Sequence, residues 1–337
     1  MKPADRRRRL SEDGIIRILK ERFSARSPLV ETGIGDDAAV LRTLSARKRW
    51  VVTTDMLLEH VDFRQHWTTP AQLGRKALAA NLSDLAAMGA VPLFYTVALA
   101  LPRPVDPAWI DGFFRGLTSL GRRFETDLIG GDLSCSRSGI SIAITALGTT
   151  AAGRAVRRSG GNAGDLLYVT GSLGRSAAGL KLLRSGILQG RNRAERDALR
   201  AHRTPEPRCE VGAWLGCSGL VNCMMDLSDG LSMDLPRLCD ASGTGGEVYA
   251  ASLPQFPESR AWRCNPLELA FHGGEDFELL FAVRPAKASL LEERYPSRFP
   301  PISRIGTLTA AAGVRWRSAP GAVARPLATK GYDHFFR

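Results

Sequence analysis

Residues 49–101 decide the fold. They read RWVVTTDM (49–56), a mostly polar connection, TPAQLGRKALAANLSDLAAMG (69–89) and PLFYTVALAL (92–101). The first segment is β-branched and aromatic and ends at an acid, the pattern of a buried strand. The second starts on Thr69, a capping residue, with Pro70 in the first turn and Gly89 as a stop, so a helix is predicted over 69–88. Its apolar stripe (Leu73, Ala77, Ala80, Asp84, Ala87) recurs at helical spacing and carries an aspartate on the buried side. The third segment reads as a strand again. Strand, helix and strand, with similar alternation on both sides, place the chain in the α/β class.

Upstream, SEDGIIRILKERF (11–23) has the periodicity and charge order of a short amphipathic helix capped by Ser11. Downstream, Asp106 and Pro107 open a second helix over 106–124. DLIGGD (127–132) is a short strand closing on two glycines and an acid, and ISIAITALGTT (140–150) is another strand. The composition then turns small, basic and glycine-rich in AAGRAVRRSGGNAG (151–164). The domain boundary is placed there, giving units 1–150 and 151–337. In the second unit, DLLYVTGSLGRSAAGLKLL (165–183) reads as strand, glycine turn and helix, and residues 184–205 as a polar, basic surface excursion. MMDLSDGLSMDLPRLCDASG (224–243) reads as strand, turn and helix with Gly243 as C-cap. NPLELAFHGGEDFELLFAV (265–283) reads as helix, glycine turn and strand.

Acids recur at five places beside glycine or hydroxyl residues. They are Asp36 and Asp37 in GIGDDAAVL, Asp55 after Thr53 and Thr54, Asp84 in NLSDLAAMGA, Asp132 in LIGGD, and Asp226 and Asp229 in MMDLSDG. One such acid is an ordinary turn residue; five sets point to one shared site. Crowded carboxylates repel and are costly to hold ionised without cations. Hard divalent ions with oxygen ligands offset that cost, and Mg²⁺ is commonly held by carboxylates, waters and substrate phosphates. Thr53, Thr54 and Asp55 alternate faces on a strand, so all three serve one site only if the strand stops there. The glycines of LIGGD let a phosphate approach the backbone. Arg157 and Arg158 beside glycines suit a polyphosphate or a solvated linker equally.

The 337 residues are 44% hydrophobic, enough for a sizeable core and, as a prior, about two domains. A net charge of +12 fits nucleic acid or anionic small molecules. The distinctive motifs are acidic rather than basic and aromatic, which argues against nucleic acid. Six cysteines without CxxC or zinc spacing read as reduced core residues of a cytoplasmic protein. The N-terminal arginines have no apolar run behind them. The longest apolar run, residues 90–101, contains Pro92 and is too short to span a bilayer, so no membrane partner is expected. There is no P-loop, no GxGxxG fingerprint and no HRD or DFG signature, and no nucleophile or general base stands out. An all-oxygen aspartate site with glycine turns suits metal-assisted phosphoryl transfer.

In order along the chain, GIGDDAAVL, TTDMLLE, NLSDLAAMGA, LIGGD, GRAVRRSG, DLSDGLSMDL, GGEDFELLF and the terminal GYDHF resemble the thiamine-monophosphate kinase family of the PurM-like ATP-binding superfamily. The resemblance implies a two-domain α/β fold, with an N-terminal mixed sheet and helices that pairs across a homodimer, and a C-terminal α/β domain. It implies transfer of the ATP γ-phosphate to thiamine monophosphate, assisted by several Mg²⁺. Carried over by motif, Asp37, Thr53, Thr54, Asp55, Asp84, Asp132, Asp226 and Asp229 hold metal. Gly131, Asp132, Arg158 and Ser228 contact ATP, and Glu275 and Tyr332 contact the thiamine moiety. The chain departs from the family in one place. Where the family reads EGVHF and its histidine contacts substrate, this chain reads Glu59, His60, Val61, Asp62, Phe63, which puts Asp62 at the substrate contact. Transfer is expected to be direct and in line, since the acceptor is an ionised phosphate oxygen that scarcely needs a base. The alternative is another PurM-like ATP-dependent enzyme acting on a different phosphorylated or heterocyclic small molecule.

Overall fold

The structure, a computed structural model, describes residues 30–32, 36–42, 47–104, 106–151, 153–333 and 335. The helix expected over 11–23 lies outside the described residues, as do Gly33, Gly35 and His334 of the motifs. Strands β1 (Val30–Thr32), β2 (Ala39–Arg42) and β3 (Lys48–Leu58) are followed by helix α1 (Pro70–Ala87) and β4 (Val91–Pro102). Then come α2 (Pro107–Arg123), β5 (Asp127–Ser136) and β6 (Ser141–Ala151). These strands form a six-stranded sheet in the order β1-β2-β3-β6-β4-β5, antiparallel except where β4 meets β5. The start of α1 follows from its sequence. Thr69 accepts from the Gln72 N–H while the Gln72 side chain accepts from the Thr69 N–H, a reciprocal cap.

β3 does not stop at Asp55. β6 pairs with it along its whole length, from Lys48↔Ala151 to Leu58↔Ser141. Alternation then puts Thr53, Asp55 and Leu57 on the face covered by α1, and Thr54 and Met56 on the uncovered face. The expectation of a strand ending at the acid is therefore corrected.

The second half begins with β7 (Leu166–Thr170), α3 (Arg175–Arg184), α4 (Arg193–Arg203), α5 (Cys209–Ser218) and β8 (Val221–Asp226). It continues with α6 (Leu231–Ser242), β9 (Gly245–Tyr249), α7 (Pro266–His272), β10 (Leu279–Val283) and α8 (Pro285–Arg294). The chain closes with β11 (Ile302–Thr309), β12 (Val314–Arg317) and β13 (Arg325–Pro326). A seven-stranded sheet results, ordered β13-β12-β9-β11-β7-β10-β8. Within the basic excursion at 184–205 lies a helix, α4, whose Ala198 and Leu199 pack on Leu182 and Leu183 of α3. Gly243 ends α6 in the left-handed conformation its position called for.

α1 joins the two halves. It packs on β3 and β6 on one side and on α5 and β8 on another, so it is buried nearly all round rather than along a stripe. Lys76, Asn81 and Ser83 are buried in it beside the leucines. All six cysteines are free, but Cys135 and Cys217 are exposed rather than in the core. No helix among the described residues is long and apolar enough to cross a membrane.

Candidate active site

Three elements deliver carboxylates to one point. Asp37 precedes β2, Asp84 lies in the last turn of α1, and Asp226 ends β8. Their carboxylate oxygens lie within 4.8 Å of one another. Hydroxyls brace two of them: Thr53 Oγ1 donates to Asp84 Oδ2 at 2.5 Å, and Ser83 Oγ donates to Asp226 Oδ2 at 2.6 Å. The Arg158 guanidinium donates to Asp37. Asp55 lies beside them, its backbone N–H bonded to Asn81 Oδ1 at 3.1 Å.

The cluster is short of positive charge. Burial, with Asp55 and Asp226 nearby, pushes the Asp84 carboxyl well above the usual range; burial and Asp37 do the same to Asp226. Asp36 is pushed up to about 6 by burial and its neighbour Asp37. Asp37 Oδ2 is buried with no hydrogen-bond partner among the described residues. An orphaned buried carboxylate oxygen within an all-oxygen donor set fits a hard divalent cation, held by Asp37, Asp84 and Asp226 with Asp55 alongside.

A cavity of about 1500 Å³ opens from these acids. Asp55, Asp84 and Asp226 line it, and so do Asp62, Ser228, Asp229, Glu275 and Tyr332. Backbone bonds lock the loops that carry the last four. The Glu275 N–H bonds Ser228 O at 2.7 Å, the Phe277 N–H bonds Leu227 O at 2.9 Å, and the Tyr332 N–H bonds Asp229 O at 3.2 Å. Gly230 turns at φ 102°, where a side chain would also crowd the Gly273 carbonyl. Asp229 pairs with Arg237 at 2.5 Å, and Arg237 also reaches Asp234 at 3.0 Å. Burial, and Asp229 next to it, push Asp234 up to about 7.

Glu275 has a different environment. It bonds Lys76 Nζ at 2.7 Å and His202 Nδ1 at 3.1 Å. Burial by itself would raise its carboxyl, but Lys76 and His202 outweigh burial and hold it at about 2. Burial, followed by the charge of Lys76, lowers the basicity of His202.

Three of the expected residues do not reach the cluster within one chain. Thr54 faces the uncovered side of the first sheet, its hydroxyl 2.5 Å from that of Thr145. Gly131 and Asp132 lie on the exposed edge strand β5. The register runs Asp132↔Ala98↔Ala143↔Met56, three strand spacings, or roughly 14 Å, from β3. At Gly131 a Cβ would collide with the Val97 carbonyl, so that glycine is required by strand packing. Lys76, Asn81, Ser83, His202 and Arg237 were not anticipated. The first three carried a signal, being polar residues inside an otherwise alanine- and leucine-rich helix.

Residues 35–150 match the AIR synthase related protein N-terminal domain family, and residues 162–317 match its C-terminal domain family. The chain is 35% identical to thiamine-monophosphate kinase of Bacillus subtilis (strain 168) over 308 residues, 91% of this chain and 94% of that protein. It is 39% identical to thiamine-monophosphate kinase of Escherichia coli (strain K12) over 309 residues, 91% and 92% of the two chains. The structure of AaThiL complexed with AMPPCP and TMP superposes with a TM-score of 0.84 at 29% identity, covering 99% of this chain and 100% of that one. With identity of this level over nine-tenths of the chain, the chain belongs to the thiamine-monophosphate kinase family.

Proposed function

We propose that this cavity binds ATP and thiamine monophosphate and transfers the ATP γ-phosphoryl group to the substrate phosphate, giving thiamine diphosphate. The observation that supports this most is the meeting of Asp37, Asp84 and Asp226 at one end of a cavity whose walls also hold Ser228, Asp229, Glu275 and Tyr332. Two phosphate groups brought together repel, and the acids supply no positive charge of their own. Several Mg²⁺ ions bound at Asp37, Asp84, Asp226 and Asp55 would neutralise both the acids and the phosphate oxygens. The chain's own contribution is placement. Thr53 and Ser83 fix the carboxylates, Arg158 is close enough to the cluster to meet an ATP phosphate, and the interlocked 228–230 and 273–277 loops fix the opposite wall.

Transfer is one in-line displacement. No thiol of the described residues lines the cavity, and the acceptor oxygen is largely ionised near neutral pH, so neither a covalent relay nor a strong base is needed. The uncovered face of the first sheet is the surface for a second copy of the chain. Met56, Ile129 and Leu133 are 57%, 57% and 67% exposed there or on the adjoining edge strand. A copy seated on that face would carry its Asp132 towards Thr54, which faces away from the acid cluster within one chain.

The test is to incubate the protein with ATP, Mg²⁺ and thiamine monophosphate and to look for thiamine diphosphate by mass spectrometry. No product, or equal product in excess EDTA, overturns the reading. Inversion at a chiral γ-phosphorus is expected for direct transfer. Met56→Lys with Leu133→Asp should give a monomer in sedimentation.

A further inference from the structure

We propose that His60 contacts the heterocyclic end of the acceptor and sets this chain's preference for it. The proposal rests on the reading of the cavity as the thiamine-monophosphate site.

β3 runs past Asp55 to Leu58, roughly 10 Å farther along the strand, and then turns. Residues 59–63 form that turn. The His60 N–H bonds Phe63 O at 2.8 Å, and the N–H groups of Val61 and Asp62 bond Leu58 O at 3.2 and 2.9 Å. Both acids of the turn brace its own backbone and neighbours. Glu59 accepts from the Ile140 N–H at 2.9 Å and from Gln65 Nε2 at 2.8 Å. Asp62 accepts from the Leu58 N–H at 2.7 Å. The His60 imidazole makes no hydrogen bond to any described residue, is exposed, and lines the cavity beside Val61 and Arg64.

His60 also holds φ at +72°. In that left-handed region glycine is unstrained and a side chain is not. A strained residue on the wall of a binding cavity, with the rest of its turn rigidly braced, is the arrangement of a side chain retained for contact. From the acids the cavity wall continues through Met56 and Leu57 to this turn, which leaves room there for the rings of an acceptor whose phosphate lies at the acid end. Neutral imidazole offers one N–H donor and one nitrogen acceptor, which match the ring nitrogens and exocyclic amine of an aminopyrimidine.

The experiment compares wild type, His60→Gly and His60→Gln in the full chain, measuring kcat and KM for each substrate and the melting temperature. His60→Gly should lose about tenfold in kcat/KM for thiamine monophosphate, carried by KM, while melting higher because strain is relieved. The KM for ATP should not move. His60→Gln, which keeps a donor and an acceptor, should recover part of the loss. An unchanged KM for thiamine monophosphate in His60→Gly makes His60 a turn residue and overturns the proposal. So does a joint rise of both KM values with a lower melting temperature, which reports a damaged turn. A wild-type protein that forms no thiamine diphosphate overturns the reading of the cavity, and the role of His60 with it.

Discussion

Two groups of buried charge share the walls of one cavity and are balanced in opposite ways. Around Asp84 the carboxylates of Asp37, Asp55 and Asp226 gather with Arg158 as the cation among them. Around Glu275 a single carboxylate meets both Lys76 and His202. The first group has carboxyls driven upward by burial and by one another; the second has a carboxyl driven down to about 2. The contrast separates two uses of a buried acid. Acids left under-compensated lower the stability of the empty protein and hold that free energy for an incoming cation. An acid with its partners built in fixes a loop.

The largest effect should come from the under-compensated group. Asp84→Asn and Asp226→Asn should each lower turnover by roughly 10²–10³-fold, as removal of a group that positions charge at a reacting centre does. Mg²⁺ should raise the melting temperature of wild type and fail to do so in either variant. Without metal, both variants should melt no lower than wild type, since each removes a repelling charge. Calorimetry with and without Mg²⁺ reads all of this. Metal-free variants that melt well below wild type would show that the acids are already satisfied.

The compensated group should respond with the opposite sign. Lys76 is 5% exposed at its side chain, and Lys76→Met leaves Glu275 charged without its main partner. Urea unfolding should show a loss of about 3 kcal/mol. A neutral substitution would erase the distinction between the groups. Acid titration sharpens it further. The carboxyl of Glu275 is depressed from its ordinary 4.5 to about 2 in the folded protein. Its stabilisation is therefore fully present above pH 4.5 and is lost as pH falls through the folded value near 2. Glu275→Gln should have a shallower fall in stability between those limits, measured as urea midpoints at several pH values.

The same contrast marks what could be read from the chain. Asp84 was legible because its own helix carried the information: a cap at Thr69, apolar spacing and an acid on the buried side. The strand, turn and helix around Asp226 and Asp229 were legible for the same local reason. The end of β3 was not, because the length of β6 sets it, and with it went the face on which Thr54 lies. Asp132 followed, since its distance from Asp55 depends on the order of four strands rather than on its own glycines. α4 was hidden by its arginines, with Ala198 and Leu199 the small apolar contact that anchors it. Glu275 was named as a contact to substrate, yet its bonds to Lys76 and His202 span long separations in sequence that no local pattern records.

The smallest expected effect concerns Asp62, which tests whether an acid can belong to both groups at once. Its carboxylate accepts from the Leu58 N–H at 2.7 Å and so braces the turn, while its side chain lines the cavity that would receive a cationic thiazolium. Substitutions separate the two roles. Asp62→Asn keeps an acceptor for the Leu58 N–H and removes the charge; Asp62→Ala removes both. Stability should follow the hydrogen bond. Asn should melt like wild type, and Ala should lose about 0.5 kcal/mol, a low value because Asp62 is only half-buried and its hydrogen bond lies at the surface. Affinity should follow the charge. Both variants should bind thiamine monophosphate about fivefold more weakly, the loss of an attraction on the order of a kcal/mol in a partly wet site, with ATP unaffected. If Asn matches wild type for both ligands and only Ala loses stability, Asp62 belongs with Glu59 as a brace of the turn, and recognition at this wall falls to His60.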